Sequence, residues 1–319
     1  MKRRTILAGA ALAALAKPAV AQAWPSRPIT LVAGFPPGTS VDQVSRWMAD
    51  QISRALGQPV VVDNRPGVDG GIAATHVARS RPDGYTLLYT TSSAHGASPS
   101  LYRTLTFDPV ADFAPITKYS DQAMVLLVRP DDPARTMQDL AARARSSPRP
   151  LFYGHGNTST RVAAELFRYH MNIQLERVPF RANPQAMQEL IAGRLDLVFT
   201  DVTTGVEQVR QGSLRALAVT SIAHHPFYPG VPSMAEQGIP GLDLVAWGGL
   251  VAPAGTPPEI INRFNAVVLQ AMASPEGIEF MERRGVIAAP MTPQQFGDYI
   301  KAEIARWREY VRIAGIEPQ

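Results

Sequence analysis

Residues 29–42 read Ile29-Thr-Leu-Val-Ala-Gly-Phe-Pro-Pro-Gly-Thr-Ser-Val-Asp42. A short apolar strand leads here into a Pro-Pro-Gly turn, and Ser40 and Asp42 then open a helix. The first turn of a helix presents backbone N–H groups without intrahelical acceptors, and the helix dipole favours negative charge there. The stretch therefore predicts a strand–loop–helix unit that holds an anion at the helix N-terminus.

The rest of the chain continues this alternation of strand and helix. Helical patterns separate apolar runs at residues 59–62, 85–89, 123–128, 151–153, 176–179 and 195–199. This order favours an α/β fold with mainly parallel sheets, whose ligands bind beyond the carboxyl ends of the strands. From residue 257 onward the pattern predicts long amphipathic helices that pack back on the first lobe.

The first 23 residues have the features of a secretion leader. Lys2, Arg3 and Arg4 precede a short apolar run, and Ala21-Gln-Ala23 is a small-x-small cleavage site. We therefore expect a mature periplasmic chain that begins at Trp24. Arg3-Arg4 also allows twin-arginine export, so the general and the twin-arginine routes both stay open.

Composition excludes several classes of function. Four of the 31 basic residues lie in the leader, so the other 27 balance the 27 acidic residues, and no basic footprint for nucleic acid remains. The chain has no cysteine, which excludes disulfides, thiolate metal sites and a cysteine nucleophile. No later apolar run is long enough for a membrane helix. We expect a monomer that needs no cofactor or metal and is not itself membrane-spanning.

Several blocks of sequence resemble a known family. They are Trp24-Pro-Ser-Arg-Pro-Ile29, Phe35-Pro-Pro-Gly38, Gly57-Gln-Pro-Val-Val-Val-Asp-Asn-Arg-Pro-Gly67, Pro82-Asp-Gly-Tyr-Thr-Leu-Leu88, Asp112-Phe-Ala-Pro115, Ala164-Glu-Leu-Phe167, Leu214-Arg-Ala-Leu-Ala-Val-Thr220 and Gly249-Leu-Val-Ala-Pro-Ala-Gly-Thr-Pro257. In this order they resemble the Bug receptors, the TctC-like extracytoplasmic solute-binding proteins of tripartite tricarboxylate transport systems.

The resemblance implies a two-lobed α/β periplasmic binding protein, a type II-like clamshell with its ligand cleft between the lobes. We place lobe 1 at residues 24–122 plus 245–319 and lobe 2 at residues 123–244. It also implies a small organic acid as ligand, held largely by backbone amides, hydroxyls and ordered waters, and membrane transporter subunits as partners.

The family pattern locates the ligand contacts in five loops. We expect Phe35 to pack on the carbon skeleton of the ligand, and Asp42 to cap its helix. The other expected contacts are Pro37, Gly38, Thr39 and Ser40 in the first loop, Asp69, Gly70 and Gly71 in the second, Thr91 and Ser92 in the third, Asn157, Thr158, Ser159, Thr160 and Arg161 in the fourth, and Asp201 in the fifth.

Some of these positions depart from the family pattern or allow two roles. Asp69 replaces a usual glycine, so either it points to solvent as a turn residue or the ligand is less anionic than usual. Arg161 pairs with a carboxylate or lies on the helix surface. His95 is interpreted as a solvated or packed loop histidine, and Trp247 either lines the cleft or belongs to the core.

Asp201 ends the apolar run at residues 195–199, where open α/β sheets place their ligand contacts. We predict that its carboxylate accepts a hydrogen bond from a ligand donor or from a bridging water. The alternative is a turn aspartate that caps Thr203 or Thr204 locally.

Motifs for catalysis are missing from the sequence. It contains no Gly-x-Ser-x-Gly, no His-Glu-x-x-His and no phosphate-binding Gly-Lys-Ser/Thr segment. We therefore expect a binding protein rather than an enzyme, with a hydrolase as the less favoured alternative. The same binding module could also present its ligand to a sensor kinase or a periplasmic enzyme, and the sequence does not separate these roles.

Overall fold

The computed structural model describes residues 24–221, 224–239 and 244–318, and the predicted leader lies outside this range. The strands are β1 (Ile29–Ala33), β2 (Val60–Asn64), β3 (Thr86–Thr91), β4 (Phe113–Gln122), β5 (Met124–Val128), β6 (Leu151–His155), β7 (Leu175–Pro179), β8 (Leu197–Asp201), β9 (Arg215–Val219), β10 (Ala246–Pro253) and β11 (Ile287–Ala288). The α-helices are α1 (Ser40–Leu56), α2 (Gly71–Ala78), α3 (Ser98–Leu101), α4 (Met137–Ser146), α5 (Thr158–Met171), α6 (Asn183–Ile191), α7 (Val202–Arg210), α8 (Pro258–Ala273), α9 (Pro275–Arg284) and α10 (Pro293–Ile313). A 3₁₀ turn at Val68–Gly70 and a π turn at Ser92–Ala97 complete the described elements.

The strands form two separate sheets. The first has the order β11-β4-β10-β3-β1-β2 and the second has the order β7-β6-β8-β5-β9. Strands β1, β2 and β3 are parallel, and so are β6, β7 and β8, whereas β4, β5 and β10 pair antiparallel with their neighbours. The sheets are thus less uniformly parallel than predicted, because β10 and β11 run against the other strands of the first sheet and β5 runs against the other strands of the second.

Helix α1 shows how local sequence builds the first lobe. Val44, Met48 and Ile52 recur every four residues and are buried against the first sheet. The prediction that Asp42 caps the helix was wrong: Thr39 is the N-cap, and its side chain accepts a hydrogen bond from the Asp42 amide. The helix ends at Gly57, whose φ of 68° is left-handed and favours glycine.

The C-terminal helix α10 packs on both lobes rather than on the first alone. Phe296 and Ile300 belong to a core cluster of the first sheet. Trp307 and Val311, on later turns of the same face, are buried with residues of the second sheet. The helix therefore ties the two lobes together on one side, which the sequence pattern alone did not predict.

None of the helices in the described part of the chain is both long enough and apolar enough to span a membrane.

Candidate functional site

A small cavity lies between the two sheets, where loops from both lobes meet. This deep cavity has a volume of about 40 Å³. Its lining residues are Phe35, Ser40, Val41, Val44, Tyr89, Thr91, Ser92, Ser93, Gln122, Met124, Asn157, Ser159, Thr160, Asp201, Ala246, Trp247 and Gly248. They follow strands β1, β3, β6 and β8 or belong to the strands at the crossover, as expected for a site at the carboxyl ends of strands.

Two larger grooves adjoin the deep cavity. The Arg284 groove, of about 660 Å³, lies between α1 and α9 on one side and α6 and α7 on the other, and it shares Ser40, Val44 and Gln122 with the deep cavity. The His155 groove, of about 950 Å³, lies between residues 34–39 and 66–69 of the first lobe and residues 155–157 and 180–185 of the second. It shares Phe35 and Asn157 with the deep cavity.

Of the three amide donors predicted in the first loop, two are satisfied within the loop and that of Ser40 is left free. The Gly38 amide donates to the Asp42 carboxylate at 3.0 Å, and the Thr39 amide donates to the Pro36 carbonyl at 3.4 Å. Helix geometry leaves the amides of Ser40 and Val41 without intrahelical acceptors. Both residues line the deep cavity, so the amides available to a ligand are those of residues 40 and 41 rather than those of residues 38–40.

The loop before α5 presents a similar but narrower set of donors. Asn157 is the N-cap, and its side chain accepts from the Thr160 amide at 2.9 Å. The Thr158 amide donates to Asp69 of the other lobe at 3.0 Å. The Ser159 amide is therefore the one in this first turn that has no acceptor, either within the helix or among these contacts. Its hydroxyl lies 3.2 Å from that of Ser92, which also lines the deep cavity.

Asp69 neither points to solvent nor lines the deep cavity. Its Oδ1 accepts from the Thr158 amide at 3.0 Å, and its Oδ2 accepts from the Thr158 hydroxyl at 2.6 Å and the Tyr102 hydroxyl at 3.1 Å. Positive φ angles at Gly67, Val68 and Asp69, of 134°, 50° and 53°, turn the loop so that the carboxylate faces the second lobe. Burial and the neighbouring Asp69 charge together raise the pKa of Tyr102.

Asp201 is a local helix cap, as in the alternative from the sequence, and it also lies at the deep cavity. It is the N-cap of α7, where Oδ1 accepts from the Thr204 amide at 3.0 Å and from the hydroxyls of Thr203 and Thr204 at 2.5 Å each. Its Oδ2 accepts from the Asn183 side-chain amide at 3.2 Å. The residue also lines the deep cavity, so a turn contact and a cleft position coexist.

Trp247 likewise belongs to both the core and the cavity. It is buried among residues of the first-lobe core and lines the deep cavity. Its indole N–H donates to Glu303 of α10 at 2.9 Å, and the Trp307 indole donates to the same carboxylate oxygen at 3.2 Å. Burial raises the pKa of Glu303. The floor of the cavity is therefore hydrogen-bonded to the helix that ties the lobes together.

The predicted ligand contacts fall into three groups according to the space that they line. Phe35, Ser40, Thr91, Ser92, Asn157, Ser159, Thr160, Asp201 and Trp247 line it. Pro37, Gly38, Thr39 and Asp69 line the His155 groove instead. Three more residues line neither space: Gly70 packs on Gly34 and Phe35, Gly71 begins α2, and Thr158 bonds to Asp69.

Arg161 and His95 are not among the residues that line the deep cavity. Arg161 is half-buried, and burial together with the nearby Arg177 charge lowers its pKa. His95 is fully buried, with Nδ1 2.5 Å from the Thr90 hydroxyl and its ring packed edge-on against Phe113. Burial lowers its pKa to about 3, so the ring is neutral near pH 7.

Sequence reasoning missed several lining residues, namely Val41, Val44, Tyr89, Ser93, Gln122, Met124, Ala246 and Gly248. Most belong to a strand or a helix rather than to a loop. Gln122 ends β4 and Met124 begins β5 at the crossover between the sheets. The sequence pattern predicted no strand between residues 89 and 123, so it gave no signal for the strand end at Gln122. A Cβ added to Gly248 would lie 2.1 Å from the Tyr89 hydroxyl, which explains why a glycine stands there.

Known proteins share this architecture. A family model described as tripartite tricarboxylate transporter family receptor, TctC, matches residues 44–316. The chain belongs to this family. The receptor is 36% identical to the UPF0065 protein in the tcbD-tcbE intergenic region of Pseudomonas sp. (strain P51), over 97% of this chain and 94% of that protein. It is 32% identical to Protein BugT of Bordetella pertussis, over 96% of this chain and 94% of that protein. These matches confirm the resemblance to the Bug receptors.

Solved structures confirm the two-lobed fold of the receptor. An R. palustris protein solved with adipate matches it with a TM-score of 0.89 and 33% identity, over 93% of this chain and 100% of that chain. MatC from Rhodopseudomonas palustris with bound malate matches with a TM-score of 0.84 and 29% identity, over 90% of this chain and 100% of that chain. The family assignment also confirms that the receptor is a solute-binding protein.

Proposed function

We propose that this receptor captures a small organic acid in the deep cavity for a tripartite tricarboxylate-type transporter. The observation that carries the proposal is that free first-turn amides of both lobes, at Ser40, Val41 and Ser159, adjoin one cavity. Carboxylate oxygens accept hydrogen bonds from such amides and gain from the dipoles of α1 and α5. Similar proteins solved with adipate and malate support this ligand class.

Neutral groups would hold the anion. Among the described residues that line the deep cavity there is no lysine or arginine, and their one carboxylate, that of Asp201, is engaged by Thr203, Thr204 and Asn183. Hydroxyls of Thr91, Ser92 and Ser159 supplement the amides. Phe35 and Trp247 supply apolar surface for the carbon skeleton of the ligand.

Binding requires motion of the lobes. A cavity of about 40 Å³ holds only a few waters. We propose that lobe 1 (residues 24–122 and 245–319) and lobe 2 (residues 123–244) separate about the crossover near Gln122 to admit the ligand. The ligand then favours the closed state by its higher affinity for that state.

The receptor would act as a mature, exported protein. We propose that export removes residues 1–23 and releases a periplasmic monomer that begins at Trp24. Its role is binding rather than turnover, so a bound acid would be recovered chemically unchanged.

A thermal-shift screen of small mono- and dicarboxylic acids, with neutral sugars and metal ions as controls, tests the ligand class. We expect at least one acid to raise the melting temperature. At a concentration a hundredfold above its Kd, it should increase the free energy of unfolding by about 2.7 kcal/mol. A shift with sugars or metal ions alone would contradict the proposal.

Asp201→Ala is expected to lower both ligand affinity and the stability of the unliganded protein. Loss of the α7 cap should cost about 1 kcal/mol of unfolding free energy, and loss of a buried acceptor in the cavity should weaken binding by about 1–3 kcal/mol. Thr136→Ala is the matched control, since Thr136 caps α4 and is not a cavity residue. Calorimetry that finds normal affinity beside a lowered melting temperature would make Asp201 a cap only.

A further inference from the structure

Arg284 is a half-buried cation at the end of α9 that lines the Arg284 groove. Its guanidinium lies 4.7 Å from the Phe280 ring centroid and donates to the Gln43 side-chain oxygen. Burial lowers the pKa of the guanidinium. Among the ion pairs of the described residues, none includes Arg284.

The acidic residues of the same groove are already paired with other arginines. Glu276 accepts from Arg54 at 3.0 Å, and Glu279 pairs with Arg283. Among the described residues that line the groove, Arg284 is thus the cation without a carboxylate partner. A partly desolvated guanidinium is stabilised by an anion, and its planar shape fits a carboxylate through two parallel hydrogen bonds.

The groove also contains uncharged polar atoms without partners. The Trp47 indole N–H and the Gln208 side-chain oxygen are buried and unpaired in the described structure. Trp47 stacks on Phe280 with a centroid distance of 4.7 Å, which forms a flat apolar wall next to Arg284. An apolar wall that ends at a cation suits a short carbon chain that ends in a carboxylate.

The groove is continuous with the deep cavity. Ser40, Val44 and Gln122 line both spaces. A ligand whose first carboxylate lies on the amides of Ser40 and Val41 can therefore extend along α1 into the groove. Gln43, which already contacts Arg284, lies on the helix between the two positions.

We propose that Arg284 forms a second anion subsite and that the ligand is therefore a dicarboxylate with one carboxylate at each end. This inference rests on the proposed function, because it assumes that the first carboxylate lies in the deep cavity. The preference of the receptor for dicarboxylates over monocarboxylates would then depend on one side chain, which lies outside the loops that follow the strands.

Matched acids of equal chain length test the subsite. Calorimetry would compare succinate with butyrate, adipate with hexanoate, and suberate with octanoate on the mature protein and on Arg284→Gln. We expect the wild type to bind at least one diacid about tenfold or more tighter than its monoacid, as one charge-assisted contact allows. Arg284→Gln should remove most of this preference and leave monoacid affinity within about twofold.

Arg312→Gln is the control, because Arg312 lies in the last turn of α10, is exposed, is paired with Glu309 and does not line the Arg284 groove. It should leave both affinities unchanged. Arg284→Lys keeps the charge at the C-terminus of α9 but not the bidentate geometry, so it should retain the fold and only part of the preference for the diacid.

The outcomes separate this inference from the proposed function. If no acid binds, the proposed function is wrong and the subsite falls with it. If monoacids bind the wild type as tightly as diacids, or if Arg284→Gln weakens both acids equally, the proposed function stands and the subsite is wrong.

Discussion

Gly156→Ala is expected to cost more stability than any other single change considered for this protein. A Cβ at this position would lie 2.0 Å from the Asn183 backbone nitrogen and 2.1 Å from the Ala182 carbonyl carbon. Both are backbone atoms, so no side-chain rotation relieves the overlap, and the loop before α5 must move away from α6. We expect a loss of about 3 kcal/mol or more in the free energy of unfolding.

The same change should damage the site. The Gly156 amide donates to the Asn183 side-chain oxygen at 2.9 Å, and the Asn183 amide donates to Asp201 at 3.2 Å. Displacement of Gly156 therefore disturbs two of the loops that line the deep cavity.

Denaturant unfolding of the two alanine variants Gly156→Ala and Gly297→Ala measures this effect. Gly297 lies inside α10, and its added Cβ would meet its nearest neighbour, Pro115, at 3.4 Å. There alanine should be neutral or stabilising by about 1 kcal/mol, because it is the better helix former. A Gly156→Ala protein as stable as the wild type would show that the two loops can separate without cost.

Asp69→Ala is expected to open the unliganded receptor. The substitution removes the acceptor for Thr158 and Tyr102, and the contact with Thr158 joins the lobes. Asp69 follows β2 and Thr158 follows β6, on the side of each sheet away from the crossover strands. Because the lobes would separate about the crossover, a bond on the far side of both sheets must break when the cleft opens. A hydrogen bond to a charged group stabilises the closed state by about 1.5–3 kcal/mol.

Small-angle scattering of the ligand-free protein should show a larger radius of gyration for Asp69→Ala than for the wild type. Ligand affinity should fall as well, since fewer molecules occupy the closed state. Asp108→Ala is the matched control, because Asp108 accepts from the amides of Val110 and Ala111 within the first lobe. Thr158→Val removes the hydroxyl donor to Asp69 and keeps the amide donor. It should therefore reproduce part of the opening, and the double variant should open no further than Asp69→Ala. Equal radii for Asp69→Ala and Asp108→Ala would refute the interlobe role.

Much of the architecture could be predicted from the sequence because it is local. The Pro-Pro-Gly turn, the helix that follows it, and the first turns at Asn157 and Asp201 depend on residues within four positions of one another. The order of strands and helices then requires the polar ends of β1 and β3 to share one edge of the first sheet, and those of β6 and β8 to share one edge of the second. The sequence by itself therefore determined the α/β class, the family and the loops that form the cleft.

Tertiary structure decided which groups in those loops remain free. The Thr158 amide has no acceptor within α5. It donates instead to the carboxylate of Asp69, 89 residues away in sequence, and so is not free for a ligand. Trp247 reaches Glu303 across 56 residues, and Arg284 comes next to α1 through a contact across 241 residues. Local sequence specifies donors and acceptors, whereas only the packing of distant segments determines which of them are satisfied and which face a ligand.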